Sequence, residues 1–237
     1  LWSLLVVLIL FIPAYAFSKP IFNFLMDPIR VNLPEGSSLI FTMPAEGFMT
    51  YLKVSFFAAL VAAVPFVLYQ AWKFVAPGLY KHEKQIVIPF ILFGTLFFLF
   101  GDAFCYYVAA PRAFNFLLKE YSSDYVKAFP SISEALSFFM AILLGFGVIF
   151  EFPLVIFVLA RIGIVDSKWL RKQRKYAILI SAVLAALLTP TPDVLSMMMM
   201  FVPILIFYEL GILVAWIFGK KNSPDEEAAS ESDSADS

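Results

Sequence analysis

The chain has 237 residues, 62% of them hydrophobic and 15% charged. A soluble domain is nearer half apolar and a quarter charged, and a chain this size cannot bury so much apolar surface, so a water-soluble globule is excluded. The formal net charge of −1 hides an uneven distribution: Asp225, Glu226, Glu227, Glu231, Asp233 and Asp236 crowd the last stretch without a base, and the remainder carries 17 basic against 12 acidic side chains.

Six stretches are apolar enough to be spans, at about 1–17, 48–74, 86–110, 135–160, 176–189 and 194–218, since a helix needs roughly 20 residues to cross a hydrocarbon core. Leu1 already lies inside an apolar run, so the sequence reads as truncated at its N-terminus. Ala14-Tyr15-Ala16 after that run also fits a signal-peptide cleavage site; no basic segment precedes it, and the loop charges favour retention. The segments after spans 2, 4 and 6 hold eleven lysines and arginines, including Lys81, Arg171, Lys172, Arg174 and Lys175. The opposite side holds six: Lys19, Arg30, Lys53, Arg112, Lys119 and Lys127. By the positive-inside rule both termini are cytoplasmic. The fold expected is an all-α polytopic membrane protein, with 1–219 as one transmembrane domain and 220–237 as a disordered acidic tail.

The external segments 18–47 and 111–134 are long enough to form a cap over the outer face, with short helices in the second and strand alternation in neither. The last two spans are unusual. Span 5 has only 14 residues, about 21 Å of helix, and Thr189-Pro190-Thr191-Pro192-Asp193 turns the chain behind it. A hairpin so short either thins the bilayer beside it or packs behind other helices. Pro203 should bend span 6.

Enzyme motifs are absent: there is no H-E-x-x-H, G-x-S-x-G or phosphate loop. One histidine and one cysteine, Cys105, are too few for a His/Cys metal site and leave no internal disulfide. Neither catalysis nor a cofactor is expected, and a binding or conducting role remains. Glu151 is the clearest intramembrane acid, flanked on both sides by apolar residues and followed by Pro153, which deprives the Ile149 carbonyl of its helical donor. An acid at that depth is expensive; it either contacts polar cargo or a partner helix, or holds the bundle's shape through internal hydrogen bonds. Asp102 lies nearer the outer end of span 3 and reads as interfacial; Glu209 is a partner site or marks the approach of span 6 to the inner surface. Glu83 sits between Lys81, His82 and Lys84 as the lone acid of its loop. On the residues alone a local salt bridge is the better reading; the sharper one is a carboxylate that receives a guanidinium through paired hydrogen bonds. The basic run 171–175 anchors span 5 at an anionic surface rather than binding nucleic acid. Met197–Met200 point all round a helix and so suit packing better than a soft metal.

Several stretches, in order, resemble the TatC family, the multispanning subunit of the twin-arginine (Tat) protein translocase. They are Leu33-Pro34-Glu35-Gly36 with Pro44-Ala45-Glu46-Gly47-Phe48, and Tyr69-Gln70-Ala71-Trp72-Lys73-Phe74-Val75-Ala76-Pro77-Gly78-Leu79-Tyr80-Lys81-His82-Glu83. Gly147-Val148-Ile149-Phe150-Glu151-Phe152-Pro153, Arg171-Lys172-Gln173-Arg174-Lys175-Tyr176 and Leu188-Thr189-Pro190-Thr191-Pro192-Asp193 continue the series. The resemblance covers 1–219 and implies a concave, glove-like bundle in the bacterial inner membrane. It implies a receptor that binds the twin-arginine signal peptides of folded precursors and assembles, in several copies, with single-span TatB-like and TatA-like proteins. Transport would be driven by the proton-motive force. On that pattern Glu83 pairs with a signal arginine, reversing the order of its two readings, and Phe74 and Leu79 are neighbouring recognition positions. Glu151 is the family's buried acid, while Thr189 and the turn after it belong to a docking region for partner helices. Two departures stand out: the family's N-terminal cytoplasmic segment would precede Leu1, and Met197 stands where a glutamine is common. The alternative function is a small proton-coupled transporter using Glu151, which would usually carry an internal repeat that is not seen here.

Overall fold

The computed structural model describes residues 2–34, 37–75, 87–120, 129–188 and 194–219, and these are helical apart from short connections. In hydrocarbon every backbone polar group has to be satisfied within the chain, and helices do this segment by segment. Four helical stretches are long and apolar enough to cross a membrane: Glu46–Lys73, Ile88–Leu118, Ile132–Ile162 and Met197–Phe218.

Helix α1 (Trp2–Ala16) packs along α3 (Glu46–Val75), burying Val7 against Ala59 and Ala63. Between them α2 (Ser18–Val31) turns off α1 by 84°. Its pattern explains the turn: Leu25, Met26 and Ile29 face the core while Lys19, Asp27 and Arg30 stay exposed. The segment between the first two apolar stretches therefore contributes a helix of its own, together with an isolated backbone bridge between Ile40 and Ser131.

The third span differs from its sequence reading. Helix α4 (Val87–Phe104) does not stop near 110 but continues through a π-turn (Cys105–Ala109), α5 (Ala110–Asn115) and a second π-turn (Phe116–Glu120). The π-turn ahead of Pro111 shifts the ladder by one residue, the Ala110 N–H donating to the Cys105 carbonyl, and Pro111 then falls in the first turn of α5, where no donor is needed.

Helix α6 (Ile132–Phe150) is the hub, with Leu136, Phe139 and Phe146 almost fully buried. The Ser131 hydroxyl caps it by accepting from the Glu134 N–H at 3.4 Å. The chain breaks at Glu151 and resumes as α7 (Phe152–Ile162), which ends on Gly163 in the left-handed region at φ 85°. Asp166 caps α8 (Ser167–Lys172) through the Trp169 N–H. The last pair is α9 (Arg174–Leu188) and α10 (Val194–Phe218); α9 is short at 15 residues, as expected, but α10 has 25 and is long enough to cross a membrane, so only one arm of the hairpin is short. Helix α10 runs through Pro203 without a break. Met200 is buried and Met197 partly so in the main core, in keeping with packing.

Candidate functional site

The site is built where three inner helices meet. Trp72 near the end of α3, Phe90 in the first turn of α4 and Val158 on α7 form one buried cluster, with the Trp72 and Phe90 rings 4.9 Å apart. Leu68 and Leu154 pack against it. This cluster holds the two helix ends from which the 76–86 segment springs. Leu79 and Glu83 lie in that segment, outside the described residues, as does Thr189 in the α9–α10 turn. Phe74 is placed in the last turn of α3.

Glu151 stands next to the cluster. Pro153 supplies no N–H, and the helix yields two residues earlier: the Glu151 N–H donates to Val148 at 3.1 Å, while the Glu151 carbonyl accepts from Leu154 and Val155 at 3.0 Å. The break aims the side chain at α4. A Cβ built on Gly94 would stand 3.2 Å from Glu151 Oε2 and 2.7 Å from Leu68 Cδ1, so only glycine lets the carboxyl come so close to that helix. Both carboxyl oxygens are buried, and neither has a hydrogen-bond partner among the described residues. Of the two sequence readings of Glu151, a bundle acid tied down by internal hydrogen bonds has no counterpart among those residues. Above it α4 and α6 approach closely through Gly101 and Gly147; a Cβ on Gly147 would be 2.6 Å from the Phe98 ring.

Two further acids deserve comparison. Asp102 is not simply interfacial: its Oδ1 is buried without a described partner. It opens on a groove of about 590 Å³ walled by Phe57, Val61, Pro65, Leu99 and Tyr106. Glu46, to which the sequence reading assigned no role, is the best-satisfied acid among the described residues. Its Oε1 accepts from the Ser131 hydroxyl and from the Ser133 N–H at 2.9 Å, and its Oε2 from the Thr42 N–H and hydroxyl and the Met43 N–H. Glu46 precedes the apolar stretch that starts at Phe48. A threonine four residues ahead of an acid at a helix start was the available signal, a relative of the capping box; the partner at Ser131, 85 residues away, gave none.

The sequence matches the family model described as Sec-independent protein translocase protein (TatC) over residues 1–203. A relative from Desulforapulum autotrophicum bearing that name is 45% identical over 221 residues, covering 93% of this chain and 81% of the relative. One from Escherichia coli K12 is 36% identical over 224 residues, covering 94% and 86%. A crystal structure of the twin arginine translocase receptor TatC superposes with a TM-score of 0.81 at 34% identity, covering 90% of this chain and 92% of that one. With a family model spanning most of the chain, relatives well above 30% identity and a matching fold, the chain belongs to the TatC family, a family of multi-pass membrane subunits of the Tat protein translocase.

Proposed function

We propose that this chain is the receptor subunit of a twin-arginine translocase, binding the signal peptides of folded precursors. The observation that carries this is the match to a receptor structure over 90% of the chain, joined to a clamped pair of helix ends that present the 76–86 segment. In this reading Glu83 receives a signal arginine in a bidentate, charge-assisted pair, with Leu79 and Phe74 beside it. Leu68 and Leu154 pack both on the Trp72 cluster and around the Gly94–Glu151 contact, so binding at the inner helix ends has a short packed route to Glu151. Glu151 then serves as the intramembrane polar contact for cargo or a partner helix, a role supported by its two unpartnered oxygens.

The same reading makes 1–219 one transmembrane domain of six spans in a concave bundle, with both termini cytoplasmic in the bacterial inner membrane. The loop charges support it. TatB-like and TatA-like single-span proteins are the proposed partners, with docking near Thr189 and Met197, and the proton-motive force is the energy source. The alternative of a small proton-coupled transporter loses its basis once the family is shown.

The test is site-specific photo-crosslinking from position 83, in full-length protein in membranes, to precursors whose signals carry Arg-Arg or Lys-Lys. Adducts that require the arginine pair support the receptor reading. Equal adducts with both signals would return Glu83 to a local structural role.

A further inference from the structure

The basic run between α7 and α9 sits higher in the bundle than its place in the sequence implies. Past Gly163 the chain climbs back. Leu170 packs into a buried cluster with Ile156, Ala160, Tyr208 and Ile212, and its carbonyl accepts from the Tyr208 hydroxyl at 2.6 Å. The Arg174 guanidinium reaches Glu209 at 2.6 Å. Tyr208 and Glu209 are not at the end of α10. From Leu210 to Phe218 follow nine residues without a charge, about 13 Å of further helix, with Leu213, Trp216 and Ile217 exposed.

The basic run is thus level with a part of α10 whose continuation is still apolar. Cations there cannot be left to hydrocarbon, where an unpaired charge is costly. The local acids do not answer them: Asp166 is engaged as the cap of α8, and Glu209 is taken by Arg174. Arg171 and Lys172 are exposed, with no carboxylate partner among the described residues; Lys175 lies 5.0 Å from the Tyr176 ring. A groove of about 480 Å³ lies between α7, α8, α9 and α10, walled on this segment by Trp169, Leu170, Gln173 and Tyr176, the chain neighbours of those cations. Its walls include Phe152, Ile156, Leu159 and Ile180, with half-exposed Trp169 and Tyr176, residues of the kind found at headgroup depth.

We propose that this groove is a binding site for an anionic phospholipid, one acyl chain lying along Phe152, Ile156 and Ile180 and the phosphate received by Arg171, Lys172 and Lys175. The occupant follows from charge and shape together: three cations with no carboxylate partner among the described residues call for an anion, and an apolar groove lined by their chain neighbours calls for a chain attached to it. A lipid anion drawn to that height also removes the conflict between a basic run and the apolar stretch of α10 below it. The site is independent of signal-peptide binding and stands whether or not that reading does.

The test uses the full chain in detergent, titrated with phosphatidylglycerol or with phosphatidylcholine of the same acyl chains and read by native mass spectrometry. The first phosphatidylglycerol is expected to bind about fivefold more tightly than phosphatidylcholine, the order of effect of a single basic residue near an anionic surface. R171Q/K172Q/K175Q should abolish that preference, with helical content and melting unchanged. K19Q/R30Q/R112Q, which removes equal charge from residues outside the groove, should keep it. Ile180→Trp, filling the groove from an exposed position, should lower phosphatidylglycerol binding although every charge remains. Equal preference in R171Q/K172Q/K175Q and the wild type overturns the proposal, as does equal loss in both triple variants or unaltered binding by Ile180→Trp. Loss of a co-purifying acidic membrane protein from R171Q/K172Q/K175Q, with lipid binding intact, would assign the surface to a protein and also overturn it.

Discussion

The joint around Glu46 and the helix break around Glu151 hold the same functional group in opposite circumstances. Glu46 accepts from Thr42, Met43, Ser131 and Ser133 and so joins the segment ahead of α3 to the start of α6. Lys53 reinforces the joint, its ammonium donating to Ser133 at 2.8 Å and Ser137 at 3.1 Å. Glu151 has no described partner for either oxygen. A carboxylate whose lone pairs are filled from within the fold is a fastener; one left bare inside a bundle has its capacity reserved for something that arrives. The contrast separates an acid that maintains the shape from one that, in the proposed reading, uses it.

Substitution at Glu46 should cause the largest structural loss. Glu46→Ala leaves several donors at the joint without an acceptor, which is worse than never having had the pair. The expected result is the largest drop in thermal stability of the variants named here, with faster amide exchange at Met43 and Ser133. An unchanged melting profile would remove Glu46 from the fastener role.

Glu151 should behave in the opposite way. Glu151→Leu removes a buried group that has no described partner, so stability should hold or rise, by about 1 kcal/mol or more. Precursor transport in membranes should fall about tenfold or further, the scale of one hydrogen bond to a charged group. Stability lost together with transport would mean that the acid does have an internal partner and that the contrast with Glu46 is false. Gly94→Ala probes the same place more gently. The added methyl meets Leu68 at 2.7 Å and Glu151 Oε2 at 3.2 Å; leucine ends can move, so the stability cost should stay near 1 kcal/mol. Transport should fall more than stability does.

Hydropathy made the helical, membrane-crossing character of this fold legible, because in lipid the helix is the only economical answer to an apolar run. Span edges were less so. The third span passes 110 because a π-turn absorbs Pro111, and a backbone shift of that kind leaves no mark in composition. Glu151 and the break at Pro153 could be read directly, since an acid among apolar residues is conspicuous. Glu46 could not, because its main partners are a serine and a backbone N–H more than 80 residues away. Asp102 was placed by depth alone, whereas its groove depends on how α2 folds over α3 and α4. The climb of the basic run after Gly163 was hidden too, for sequence order says nothing about height.

The smallest expected effect tests that climb. Arg174 and Glu209 are 2.6 Å apart, but their side chains are 51% and 52% exposed. A pair that open to its surroundings gains little over two separately solvated charges, typically about 0–1 kcal/mol. A double-mutant cycle with Arg174→Gln and Glu209→Gln, read by thermal unfolding in nanodiscs, should therefore give a coupling below about 1 kcal/mol, falling further with added salt. Were the pair surrounded by lipid chains rather than headgroups and water, the coupling would be several times larger and insensitive to salt. A small, salt-dependent value is what headgroups drawn up to Glu209 predict, and a large one would put hydrocarbon at that level and leave Arg171 and Lys172 without an anion.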